Sequence, residues 1–172
     1  METRSKIFVT TLVAISLALT ASSAVAIGGF PGQGYLRNFN DGHVHGTKCA
    51  EIYTDHPEID GKNLLPTKVF VADASYYGNQ FHNRNKMPSG NKMHECDATV
   101  VAFNGLPIGT ILKATNPTNG ISIFLVVQDR GGPEVDTRPD LSRGASEDLR
   151  NDDKPAHGTI ENVIYEIMVP VK

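Results

Sequence analysis

The 172-residue chain has no tryptophan, only two cysteines and no excess of positive charge, with 16 Lys and Arg against 19 Asp and Glu. The charge balance argues against a nucleic-acid partner, which calls for a basic face. With 40% apolar residues and no long low-complexity tract, the composition is that of an ordinary globular core. There is one long apolar run, residues 7–21, in which only Thr and Ser are polar. It is too short and too weakly flanked for a good membrane span.

That run reads instead as an export signal. Arg4 and Lys6 precede it, and Ala24-Val25-Ala26 supplies a small-x-small cleavage site. Cleavage after Ala26 is expected. Loss of Glu2, Arg4 and Lys6 then leaves 14 basic and 18 acidic residues, a net charge of −4. No cysteine follows the cleavage site directly, so no lipid anchor is expected. The mature chain is expected to be periplasmic or extracellular, free of the membrane and monomeric. In such a compartment disulfides persist, and a Cys49–Cys96 bridge is the favoured reading of the two cysteines.

Three segments are expected: the signal over 1–26, a loop-rich stretch over 27–66 and a compact unit over 67–172. Six glycines between Gly28 and Gly46 mark the middle segment as loop. His43, His45 and His56 could offer imidazoles to a metal, but they lack the tight spacing and acidic or Cys partners of metal sites. Neither a metal nor a cofactor is expected. From residue 67 the signals are those of short strands, at 68–74, 98–103, 111–115, 121–127 and 160–171. Val163, Tyr165, Ile167 and Val169 fall on one face of the last. Asn104-Gly105 is a strong turn pair, and 116–120 (NPTNG) forms another turn. A short helix is expected over 142–150, capped by Ser142 or Asp140. Several short strands and one helix imply a mainly β fold, a small barrel.

The chain is organised around residues 121–143. An apolar strand delivers Gln128, Asp129 and Arg130 into the turn Gly131-Gly132-Pro133. A carboxylate at a strand end, beside glycines that let a ligand approach, is how a rigid scaffold presents an acid to a cleft. The alternative is an Asp that pairs with Arg130 or caps the turn.

Further motifs stand in order along the chain: Ala74-Ser75-Tyr76-Tyr77-Gly78, Phe81-His82, Ser89-Gly90, Leu106-Pro107-Ile108-Gly109-Thr110, Asn116 with Asn119-Gly120, Asp129-Arg130-Gly131 and Asp140-Leu141-Ser142-Arg143-Gly144-Ala145. In this order they resemble the RlpA (rare lipoprotein A) family over about residues 69–169. The resemblance implies a six-stranded double-psi β-barrel, which expansins and barwin-like proteins share. It also implies a lytic transglycosylase acting on peptidoglycan glycan strands, preferably peptide-free, and leaving 1,6-anhydromuramoyl ends. Asp129 matches the family's proposed acid and is expected to be the catalytic residue. Tyr76, Tyr77, His82, Asn91, Arg130 and Asp140 are the expected glycan-binding residues, with Arg130 and Arg143 bracing Asp129 and Asp140.

The sequence also departs from the family pattern. Asn91 stands where a Glu usually follows Ser-Gly, and Phe103 where a His precedes Leu-Pro. His94, Glu95 and Asp97 could substitute for them, though a solvated loop around a disulfide is the expected reading. A non-lytic, expansin-like glycan-binding module on the same barrel is the alternative function.

Overall fold

A computed structural model describes residues 48–49, 59–78 and 86–171. The signal segment, most of the loop-rich stretch, His43, His45, His56 and the Phe81-His82 pair lie outside the described residues.

Six strands form a closed ring: β1 (Leu64–Tyr77), β2 (Val100–Ala102), β3 (Ile111–Thr115), β4 (Ser122–Asp129), β5 (Asp140–Ser142) and β6 (Ile160–Pro170); a helix, here α1 (Arg143–Arg150), follows β5. Around the ring the order is β1-β5-β2-β4-β3-β6. The pairs β1/β5 and β2/β4 are parallel, and the other four are antiparallel. This is the expected double-psi barrel.

Alternation along the strands explains why the ring closes on an apolar interior. In β3, Leu112 and Ala114 point inward with no exposure, while Ile111 and Lys113 point out. Lys113 lies opposite Glu166 on β6 and forms a salt bridge with it at 2.9 Å. Leu125 and Val127 of β4, Val101 of β2, Leu141 of β5 and Val163 and Tyr165 of β6 fill the interior. Phe70 stacks between Phe103 and Tyr165, with ring centroids 5.6 and 4.9 Å away. Outside the wall, Ile111, Val126 and Met168 form a second cluster, which Ile59, Leu64 and Phe124 join.

Some expected boundaries move. β1 begins at Leu64 rather than at 68 and continues through Tyr77, because residues 64–74 pair with β6 and residues 75–77 with β5. β2 is only three residues long: Asp97 Oδ1 accepts from the Thr99 amide and hydroxyl, holding the preceding residues in a turn. Asn104-Gly105 is a turn but not a hairpin, since β2 and β3 do not pair and both flank β4. On β6 the inward face ends at Ile167, opposite Leu112. Val169 is 39% exposed because it lies beyond the start of β3, while Met168 packs outside against Ile111.

Residues 140–142, read from sequence as a lead into the helix, form strand β5. Ser142 then caps α1, accepting from the Ala145 amide at 3.1 Å. Ala145 and Leu149 pack into the core, and Asn151 ends the helix in the left-handed conformation. The NPTNG turn clamps that end: the Asn116 and Asn119 side chains donate to the Leu149 carbonyl at 3.1 and 3.2 Å, and Asn119 also to that of Arg150 at 2.6 Å. Gly144 is required by contact, because a Cβ there would lie 2.5 Å from the Cys96 carbonyl oxygen.

Cys49 and Cys96 are bridged, as expected, across 47 residues of sequence. The Cys49 amide donates to Glu147 Oε2 at 2.6 Å, so the tie is anchored on α1 as well. Closing a loop of this length restricts the unfolded chain by about 4 kcal/mol at 25 °C. Cys49→Ser is expected to lower unfolding stability by about 2–4 kcal/mol in denaturant titrations, with dithiothreitol producing the same loss in the parent protein.

Candidate active site

Strand β4 would send Asp129 into the barrel if alternation ran unbroken from the inward Val127. It does not. Val101 pairs with Val127 and Ala102 with Asp129, so Gln128 is an extra residue in the ladder. Such a bulge turns the next side chain, and Asp129 emerges on the outer side, half-buried, at the end of the strand. Ala102 is also opposite Asp140 on β5, and Asp140 is opposite Ser75 on β1. Ser75, Asp140, Ala102 and Asp129 therefore form one row across four strands, with the Ala102 methyl between two carboxylates.

Both Asp129 oxygens are held. The Arg130 amide donates to Oδ1 at 2.8 Å and the Tyr77 hydroxyl to Oδ2 at 3.0 Å. Burial first, then the charge of Asp129, pushes the Tyr77 phenol far above its ordinary range, so it remains a donor. Tyr77 leans on Met87, Met93 and Val100 outside the barrel, whereas its neighbour Tyr76 packs against the interior core. The two rings point to opposite sides, as a strand requires.

The expected guanidinium braces are not found. Arg130 Nη1 donates to the carbonyl oxygens of Phe103 and Asp129, not to the Asp129 carboxylate. Arg143 is buried and joins Glu147 at 3.0 Å, with Glu95 at 3.8 Å. Its charge is committed to this internal network by geometry, because β5 ends at Ser142 and turns the next side chain onto the helix. The cation beside Asp140 is Arg138.

Asp140 lies in a different environment from Asp129. Burial raises its carboxyl above the ordinary value and nearby Glu134 adds to this, while a hydrogen bond with the Ser75 side chain and the Arg138 charge oppose it. Its Oδ1 is buried without a hydrogen-bond partner among the described residues.

The positions that depart from the family pattern have clear surroundings. Asn91 Nδ2 donates to Gln128 Oε1 at 2.8 Å, and the Ser89 amide to the Gln128 carbonyl at 3.2 Å, so the Ser-Gly-Asn turn docks on the bulge. Phe103 is buried in the aromatic stack. His94, Glu95 and Asp97 are not solvated, contrary to expectation: each is at most 6% exposed. The disulfide and the Gly144–Cys96 contact press this loop onto the barrel. The glycine turn also has a different basis from the one expected. A Cβ on Gly131 would lie 2.5 Å from the Val135 side chain, so packing excludes a larger residue there. Asn104 stitches the turn, donating to the carbonyls of Gly131 and Gly132 at 3.1 and 3.2 Å. His82 lies outside the described residues. The roles of Ser75, Ala102 and Gln128 escaped the sequence reading, because they come from strand register rather than side-chain chemistry.

Comparison with known proteins sets this barrel among relatives. The Endolytic peptidoglycan transglycosylase RlpA of Campylobacter jejuni subsp. jejuni is 39% identical over 107 residues, covering 59% of this chain and 37% of that protein. The protein of the same name from Neisseria meningitidis serogroup A is 32% identical over 111 residues, covering 64% and 46%. The chain belongs to the RlpA family. It spans between about a third and a half of the length of these RlpA relatives. A shorter Synechocystis relative, Uncharacterized protein ssl3177, is 37% identical over 83 residues, which make up 86% of its length. No family model matches the chain. Among solved structures, the Streptomyces papain inhibitor (SPI) aligns at 18% identity with a TM-score of 0.44, over 60% of this chain and 96% of that one. Among the described residues no helix is long and apolar enough to cross a membrane.

The Tyr77–Asp129 contact gives a direct test of the geometry. Tyr77→Phe removes a hydrogen bond to a half-buried carboxylate and is expected to cost about 1–2 kcal/mol in urea unfolding. An unchanged midpoint would show that the hydroxyl does not hold Asp129.

Proposed function

We propose that this RlpA-family barrel is an exported peptidoglycan lytic transglycosylase, working as a monomer on peptide-free glycan strands outside the cytoplasm, with Asp129 as its acid/base. The observation that carries this reading is the placement of Asp129: a bulge turns it out of the barrel, and Tyr77 and the Arg130 amide fix both its oxygens. The relatives named as endolytic peptidoglycan transglycosylases supply the reaction class.

The reaction breaks the bond between C1 of N-acetylmuramic acid and O4 of N-acetylglucosamine. The muramoyl 6-hydroxyl then bonds to C1, giving the 1,6-anhydro end. One proton must reach O4 and one must leave O6, so the reaction is balanced without water. Because the nucleophile belongs to the substrate, the enzyme needs no covalent carboxylate and no water-activating one. A positioned carboxyl group suffices for proton transfer. Tyr77, Asn91, Arg130 and Asp140 border the row of strand ends or its covering loop, and with His82 they are assigned to glycan binding, whereas Tyr76 turns its ring toward the interior core.

Phe103 and Asn91 favour a second reading, a module that binds glycan without cutting it. The Phe103 side chain packs in the core, and Asn91 is occupied with Gln128. Mass spectrometry of peptide-free strands incubated with the mature protein and with Asp129→Asn separates the two. Anhydromuramoyl products are expected from the parent protein and to fall at least about 100-fold in the variant. Strands retained in a pull-down but left intact by both proteins would establish the binding module instead.

A further inference from the structure

Two carboxylates, not one, lie in the row across the strand ends. Asp129 and Asp140 flank Ala102 on adjacent strands, two inter-strand spacings apart, which puts their Cα atoms about 10 Å from each other. Leu141 and Val101 point into the core, so their neighbours Asp140 and Ala102 face out, on the side to which the bulge sends Asp129. One sugar unit lying over the Ala102 methyl would meet both acids.

The two are differently equipped. Both Asp129 oxygens already accept hydrogen bonds, from a backbone amide and from a phenol that stays protonated. Asp140 has the opposite character: its Oδ1 is buried and unmatched by any donor among the described residues. With no donor at that oxygen to offset it, a negative charge on this carboxylate is poorly compensated, which favours the neutral form of the group. Resting on the transglycosylase reading, we infer that the two proton transfers are divided, with Asp140 donating to the leaving O4 and Asp129 taking the proton from the muramoyl 6-hydroxyl.

The step balances. The C1–O4 bond breaks as the Asp140 proton moves to O4, and the C1–O6 bond forms as the O6 proton moves to Asp129. The cycle ends with Asp140 ionised and Asp129 protonated, and exchange with solvent restores both. The surroundings of Asp140 shift its carboxyl upward on balance. Burial raises its carboxyl, Glu134 adds to this, and the Ser75 hydrogen bond and Arg138 oppose it. Tyr77 and Tyr165 also lie within its electrostatic reach, and both phenols are pushed up and stay neutral. Activity on glycan strands should therefore fall as pH rises through the elevated Asp140 value.

The division can be tested by pairing natural strands with the p-nitrophenyl β-glycoside of N-acetylmuramic acid, whose leaving group departs without protonation. Asp140→Asn is expected to cut strand cleavage at least about 100-fold, to keep nitrophenol release within a few-fold of the parent and to flatten the alkaline limb of the pH profile. Asp129→Asn is expected to lose both substrates. Equal loss on both substrates in folded Asp140→Asn, or near-parental strand cleavage by it, would overturn the division. A direct readout covers a misfolded variant: carbon-13 NMR titration of the parent should place the Asp140 carboxyl above the ordinary aspartate range, and an ordinary value would also overturn it. Absence of anhydro products from the parent itself would instead remove the transglycosylase reading on which the inference stands.

Discussion

Strand β2 has three residues and is paired along both sides, parallel with β4 and antiparallel with β5. Its inward Val101 is locked between Val127 and Leu141, and none of these three core residues is exposed. That pairing leaves Ala102 no freedom of register, because a one-residue slip would move the whole strand to the opposite face. The positions of Asp129 and Asp140 follow from it, since each is set by its hydrogen-bonded opposition to Ala102. The site is thus a property of the ladder as much as of the side chains. The Gln128 bulge is the one irregularity that lets an apolar inward strand end in an outward acid.

Around this ladder the structure places a second, ionic layer. Glu147 accepts from Arg143, from the Cys49 amide and from the Ala156 amide at 3.0 Å, while Glu95 faces Arg143 and its carbonyl accepts from the Gly144 amide at 2.9 Å. Breaking a buried pair by removing one partner costs about 3–5 kcal/mol, whereas replacing the whole network by apolar residues is often neutral. The network therefore matters for where it holds the loop over residues 93–97, more than for the net stability of the pairs. That loop in turn carries Met93 against Tyr77. A chain of contacts thus runs from the disulfide to the hydroxyl that holds Asp129.

Much of the fold was legible from sequence because alternation and turn residues report it directly. Strand β3 and the Ser142 cap match the expected positions, and the ordered motifs identified the barrel. What escaped was whatever depends on pairing partners far along the chain. β5 looked like a helix lead because three residues cannot display a period. Val169 looked inward because the sequence does not reveal where β3 begins. The site was half-legible: Asp129, Tyr77 and Asp140 carry recognisable motifs, but the roles of Gln128 and Ala102 exist only in the register. Arg130 and Arg143 were expected to pair with their nearest acids, yet the backbone directs both to other acceptors. Adjacent charges in sequence do not make ion pairs unless the chain turns them toward each other.

The closure of the ring has a consequence for how such a chain reaches its folded state. β6 lies between β1 and β3, and it is the latest of the described strands in sequence. Until it is in place, β1 and β3 each present an open row of amides and carbonyls to whatever else is nearby. Its pairing with β1 joins residues about a hundred positions apart, such as Leu64 with Pro170. Contacts of such separation form slowly, because the loop must be closed before the pairing can offset its entropy. A nascent or translocating chain would therefore be most vulnerable to strand-to-strand aggregation in the interval before residues 160–170 become available. Premature termination within β6 would make that exposure permanent.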